Sequence, residues 1–258
     1  MRIGAHVSST EPLAEATARG ADIVQFFLSN PQSWSKPSSR TDATELAHSD
    51  VAVVIHAPYV INVATTNNKV RVPSRGLLGA YAGAAKAVGA LGLVVHGGHL
   101  PIDEDPGLGV ENWRKTFTYA EREGGFATRI LIENTAGGKN AMARNLDRFA
   151  QLWDAVSEYE PGVCLDICHA HAGGEDLLTI VDRMKAITGK IDLVHANDSK
   201  DGFNSGRDRH DNLGNGQIEI ELLRAVVAAA DAPVIVETPG GATAQSADIA
   251  LLRRLLSP

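Results

Sequence analysis

Eight short apolar runs, spread from one end of the chain to the other, restrict the fold more than any other feature. They are RIGAHV (2–7), DIVQFF (22–27), VAVVIH (51–56), LGLVVH (91–96), RILIEN (129–134), GVCLDI (162–167), IDLVHA (191–196) and PVIVET (233–238). Each is continuous rather than alternating, as in parallel strands covered on both faces. Between them lie stretches such as GLLGAYAGAAKAVGA, NLDRFAQLWDAV, DLLTIVDRMKAI and IELLRAVVAAA, with apolar residues three and four apart. Strand and helix alternate to the end, which predicts an α/β protein, a (β/α)8 barrel. A chain of 258 residues suits one such barrel, and no linker divides it, so residues 1–258 read as a single domain.

Active sites of such barrels sit at the C-terminal ends of the strands. His6, His56, His96, His99, His169, His171, His195 and His210 fall at or just beyond such an end, and only His48 falls in a helix. The same ends supply Glu133, Asp166, Asp208 and Glu237. Histidines that merely filled a core would not prefer one rim. The segment GVCLDICHAH (162–171) places Asp166, Cys168, His169 and His171 within six residues at the end of a buried strand. Burying such groups is costly unless something pairs with them. A metal cluster at the C-terminal face supplies that partner, and imidazole with carboxylate best suits zinc, with manganese or iron compatible.

Other chemistries lack their residues. There is no G-x-S-x-G elbow and no Walker A loop, and GNG (214–216) lacks the strand-turn-helix setting of a dinucleotide fold. Cys164 and Cys168 are four apart, neither a redox pair nor a disulfide framework, and read as packing thiols. No apolar run approaches a membrane span and the start MRIGAHVSST has no signal-peptide core, so a cytoplasmic protein is expected. A net charge of -7 argues at first sight against a polyanionic partner.

The motifs IGAHVS (3–8), IHAPYVIN (55–62), VVHGG (94–98), IENTAG (132–137), CLDICHA (164–170), VHANDSK (194–200), GRDRHDNLGNG (206–216) and VIVET (234–238) resemble, in order, those of the endonuclease IV family of abasic-site DNA repair nucleases. The resemblance spans almost the whole chain. It implies a catalytic (β/α)8, or TIM, barrel with three zinc ions. His56, His96 and Glu133 would hold one; Glu133 would bridge to a second, also bound by Asp166, His195 and Glu237; His169, Asp208 and His210 would hold a third. After the fourth strand many relatives carry H-x-G-x-H where this chain has HGGH, so His96 is favoured as ligand and His99 is the alternative. Three zinc ions would offset six of the negative charges just where a phosphate must sit.

The expected reaction is cleavage of the phosphodiester bond 5′ to an abasic site in double-stranded DNA, leaving a 3′-hydroxyl and a 5′-deoxyribose phosphate. A water held between zinc ions loses its proton near neutral pH and would attack phosphorus in line. Glu133 and Glu237 are expected to handle protons as well as bind metal. The loops SNPQSWSKPSSR (29–40) and PYVINVATTNNKVRVPSR (58–75) would meet DNA, with Trp34, Tyr59 and Val60 as wedges and Lys36, Arg40, Lys69, Arg71 and Arg75 on phosphates. The resemblance assigns the wedge to the segment around Gln32, Tyr59 and Val60, although many relatives have Arg at the place of Gln32. His6, His99 and His171 read as supporting residues, and Asn134, Asn197 and Asp198 as partners that orient ligands. A monomer is expected. A sugar isomerase on a similar barrel would need fewer metals and a closed pocket, and a non-catalytic DNA- or zinc-binding protein would not need all nine ligands.

Overall fold

The computed structural model describes residues 1–257. The eight runs form β1 (Ile3–His6), β2 (Ile23–Phe27), β3 (Ala52–His56), β4 (Leu93–His96), β5 (Ile130–Glu133), β6 (Gly162–Asp166), β7 (Leu193–His195) and, after a two-stranded ribbon of β8 (Asp198–Ser199) and β9 (His210–Asp211), β10 (Val234–Val236). All eight barrel strands are parallel, and β1 closes the barrel against β10. Helices follow the strands and cover the outside, the α/β arrangement expected. No helix among the described residues is long and apolar enough to cross a membrane.

Side chains alternate across a strand, so residues two apart share a face. One inward layer is apolar: Ile23, Val54, Val94, Leu131, Cys164, Leu193 and Ile235, all buried together. Two residues further along each strand lie Gln25, His56, His96, Glu133, Asp166, His195 and Glu237. The apolar layer thus floors a polar one at the mouth, as layered side chains fill barrels of this kind. Gly4 is the β1 counterpart of that floor, because a Cβ there would run into the carbonyl oxygen of Ile23; two residues on, β1 ends in His6.

The structure corrects two local readings. The segment 58–75 is not loop throughout, because the helix Asn68–Ala87 begins well before GLLGAY, with the Asn67 side chain accepting from the Lys69 N–H as its cap. Pro73 lies inside that helix. His48 caps the C-terminus of the short helix Ala43–Ala47 rather than lying in it, while His169 and His171 lie in the helix Ile167–Gly173.

Candidate metal centre

Strand register builds the centre. His96 pairs with Glu133 across β4 and β5, and Asp166 pairs with His195 across β6 and β7. Glu133 is fully buried at the middle. Its Oε2 is 3.2 Å from His56 Nε2 and 3.2 Å from His96 Nε2. Its Oε1 is 3.2 Å from both His195 Nδ1 and His169 Nδ1. Asp166 Oδ2 lies 3.7 Å from His195 Nδ1 and 3.7 Å from His210 Nε2. Asp208 Oδ1 stands 3.1 Å from His169 Nε2 and 3.1 Å from His210 Nε2.

Three sets of donor atoms, each with its atoms within 4.8 Å of one another, correspond to the expected groups: His56, His96 and Glu133; Glu133, Asp166 and His195; His169, Asp208 and His210. Glu237 reaches the middle set with Oε2, 3.4 Å from His195 Nδ1, while its Oε1 turns to His6 Nδ1 at 3.1 Å. The structure brings His96 and not His99 to the cluster. His99 forms a bridge with Ala141, and its ring Nδ1 lies 3.4 Å from the Asn62 amide. Cys168 is buried with a donor atom beside those of Asp166 and His210, and burial pushes its thiol, like that of Cys164, up to about 12.

The donor set fits metal cations. His169 Nε2 and His210 Nε2 are buried without a hydrogen-bond partner, although Asp208 Oδ1 is close to both. That is ion-pair distance outside hydrogen-bond geometry, as when ligands converge on a cation. Outer nitrogens are held from behind: His56 Nδ1 by the Ala57 carbonyl at 2.7 Å and His169 Nδ1 by the Asn134 carbonyl at 2.9 Å. Such outer bonds fix tautomer and ring direction.

Electrostatics point the same way. Burial pushes the Glu133 carboxyl up, but the imidazoles of His96, His195 and His169 outweigh it and hold it well below the usual carboxylate range. Glu237 and Asp208 are held low against burial in the same manner, by His195 and His6 and by His169 and His210 respectively. Conversely, burial opposes the charged imidazoles, yet facing carboxylates carry His169 and His195 well above the ordinary value and His210 up to about 9. At His56 burial prevails and lowers it. Positive charge is wanted at every point where these carboxylates meet.

Of the residues expected to orient ligands, Asn134 and Asn197 contact candidate ligands and Asp198 does not. Asn134 pairs with the backbone of Asp166 in both directions, at 2.7 and 2.9 Å. Asn197 donates to Asp166 Oδ2 at 2.8 Å and accepts from the Glu237 N–H at 2.7 Å. Asp166 also caps its helix, accepting from His169 N–H at 2.6 Å. Asp198 touches no candidate ligand. Its buried carboxylate accepts from the N–H groups of Ser199, Gly214, Gly216 and Ile218 at 2.7 to 3.0 Å, which anchors the ribbon that carries His210. GNG delivers two of those N–H groups, from Gly214 and Gly216. Sequence reasoning missed Gln25, a fully buried amide whose Nε2 donates to Glu237 Oε1 at 2.6 Å. A lone glutamine inside the apolar run DIVQFF was the signal.

The rim residues are more mixed. Tyr59 is 56% exposed and stands with its ring 5.7 Å from that of His56 and 5.6 Å from that of His96. Its N–H donates to the Pro31 carbonyl, which joins the two loops. Trp34 is 46% exposed and lines an open groove with Lys36, Lys69 and Pro73. Gln32 is exposed, and Val60 is half-buried against the core. The structure turns three expected phosphate contacts to other partners: Arg71 donates to Asn68 and Asn112, Arg75 lies over the Tyr119 ring at 5.3 Å, and Arg40 pairs with Asp42 at 2.6 Å.

Comparison with known proteins narrows the field. Residues 13–255 match the family described as xylose isomerase-like TIM barrel. The chain is 51% identical over 257 residues to the probable endonuclease 4 of Mycobacterium marinum (strain ATCC BAA-535 / M), with 100% of both chains covered. It is 52% identical over 257 residues to that of Mycobacterium leprae (strain TN), again covering 100% of both. Among solved structures, endonuclease IV from Thermus thermophilus superposes with a TM-score of 0.83 at 28% identity, covering 99% of each chain. A D-tagatose 3-epimerase-like protein gives a TM-score of 0.81 at 19% identity over 99% of this chain and 97% of that one, which shows the shared barrel alone.

Proposed function

This chain belongs to the xylose isomerase-like TIM barrel family and is a nuclease of the endonuclease 4 group, and from that premise we propose that it cuts double-stranded DNA on the 5′ side of abasic sites. The products would be a 3′-hydroxyl and a 5′-deoxyribose phosphate. It would act as a cytoplasmic monomer carrying three zinc ions.

One observation carries the reading most. Glu133 presents one oxygen to His56 and His96 and the other to His195 and His169, so a single buried carboxylate faces imidazoles of all three donor groups and would be shared between metals. His56, His96 and Glu133 would hold the first metal; Glu133, Asp166, His195 and Glu237 the second; His169, Asp208 and His210 the third. Zinc bound there supplies Lewis acidity, activating water near neutral pH and stabilising charge on a phosphoryl group and its leaving oxygen. Histidines and carboxylates hold each other's charge until that chemistry is in place. Tyr59, exposed beside the His56 and His96 rings, covers one side of the centre and would press on the base stack at the lesion, where stacking is already weakened. Trp34, Lys36 and Lys69 would receive the flanking backbone.

A sugar-converting reading is favoured less, because the set of His169, Asp208 and His210 adds a third group that a one- or two-metal site would not need. The test is incision of a duplex with a single abasic site by zinc-loaded protein, with metal counted on the same sample. Cleavage next to the lesion at close to three zinc ions per chain is the expected result. Inactivity of fully loaded protein on that duplex overturns the reading.

A further inference from the structure

Gln25 sits on β2, the one barrel strand that gives the polar inward layer no ionisable side chain. Its amide has two unlike ends, and its neighbours dictate which end faces where. Gln25 Nε2 is 2.6 Å from Glu237 Oε1, and Gln25 Oε1 is 2.9 Å from His195 Nε2. An ionised carboxylate only accepts hydrogen bonds, so the NH2 end must face Glu237 and the carbonyl end is left for His195. A carbonyl also only accepts, so His195 Nε2 carries the hydrogen. In the neutral ring Nδ1 is then bare.

That bare nitrogen is 3.2 Å from Glu133 Oε1, 3.4 Å from Glu237 Oε2 and 3.7 Å from Asp166 Oδ2. A nitrogen ringed by carboxylate oxygens takes up a proton, which it donates to Glu133 Oε1, or gives its lone pair to a metal cation in the proton's place. The same amide holds Glu237 Oε1 away from the cluster, together with His6, and leaves Oε2 facing it. Other histidines are held differently. His56, His169 and His210 each set Nδ1 against a backbone carbonyl, of Ala57, Asn134 and Glu237, and turn Nε2 inward. Backbone carbonyls survive any substitution; the Gln25 side chain does not.

We propose that Gln25 is a positioning residue that makes Nδ1 of His195 and Oε2 of Glu237 the atoms available to the middle metal. This rests on the metal-centre reading above and adds which side chain orders its middle group. It also explains why an amide, donor at one end and acceptor at the other, stands where an acid or an apolar residue would fill the same space.

The experiment is zinc titration of chelator-stripped protein in competition with a chromophoric chelator, for wild type, Gln25→Leu and Gln25→Glu. Thermal unfolding of each stripped protein and imidazole 15N shifts of each loaded one accompany it. Gln25→Leu removes both arms and is expected to weaken one of three zinc ions about 10- to 100-fold, the usual effect of losing such an outer partner. Its His195 nitrogen signals should lose the single-tautomer pattern. Gln25→Glu keeps the acceptor for His195 but offers no donor to Glu237, so the His195 pattern should stay as in wild type while affinity still falls. Wild-type titration and nitrogen signals in Gln25→Leu would overturn the inference alone, as would equal weakening of all three ions. Wild type that takes up no zinc would remove the metal-centre reading and this inference with it. Should Gln25→Leu not fold, Gln25→Glu, of matching volume, decides by the same two readouts.

Discussion

His96 Nε2 lies 3.2 Å from Glu133 Oε2, and the two residues stand directly opposite in the register of β4 and β5. His99, three residues on, is turned toward Asn62. His96→Ala should therefore lose about one zinc per chain, while His99→Ala should keep the wild-type count. Metal analysis of both variants by mass spectrometry checks this, and the reverse pattern would exchange the two roles.

Glu133 and Glu237 differ in reach. Glu133 faces four imidazoles with its two oxygens, whereas Glu237 gives the centre only Oε2. Glu133→Gln should disturb two metals and Glu237→Gln one. Both should lower incision by several orders of magnitude and leave abasic-duplex binding measurable by fluorescence anisotropy. Near wild-type turnover in either variant would refute its role.

Metal removal should make stability depend on pH. In the stripped protein His169, His195 and His210 are raised, His210 to about 9. A raised imidazole stabilises fully below its unfolded value of about 6.5, and that contribution fades as pH rises through the folded value. Glu133, Glu237 and Asp208 are lowered, so their contribution is present above the ordinary carboxylate range and is lost as pH falls below it. Thermal unfolding of stripped protein should therefore shift to lower temperature as pH rises from about 6.5 through about 9. Zinc-loaded protein should show a much flatter profile, since metal replaces those protons. Parallel curves for the two forms would contradict the assignment.

Lys36 and Lys69 flank the Trp34 groove without a carboxylate partner among the described residues, whereas Arg71 is committed to Asn68 and Asn112. Reversing Lys36 and Lys69 to Glu should weaken binding to intact and abasic duplexes alike. Each lost phosphate contact should lower the slope of log affinity against log salt by about 0.9. Arg71→Glu should instead lower the melting temperature. Tyr59→Ala should leave the salt slope unchanged and remove preference for the abasic duplex; equal losses on both duplexes would mean the ring only packs the loop.

Asp198 accepts four backbone hydrogen bonds in the interior, and none comes from a candidate ligand. Asp198→Ala should release the ribbon that presents His210, weakening the zinc of the His169, Asp208 and His210 group before the other two. Stepwise chelation followed by metal count would show whether that ion leaves first.

Much of this was legible along the chain because β-strands in a closed parallel barrel all point their C-terminal ends to one rim. Given eight apolar runs of that kind, His56, His96, Glu133, Asp166 and His195 had to meet there, whatever the loops did. The helical start at 68–75 was not legible, since the segment reads as part of a rim loop and Arg71 meets Asn112, 41 positions away, only in the folded chain.

The sequence by itself determined the element types, their alternation and the chemical kinds of donor at the mouth, because these depend on local periodicity and residue identity. Only the tertiary structure set His96 rather than His99 beside Glu133, turned Arg71 toward Asn112, and set Gln25 against His195 and Glu237, which stand 170 and 212 positions away from it. Those outcomes depend on strand register and barrel closure. A hydrogen bond is made or lost over a few tenths of an ångström, and that distance is set by every strand in between.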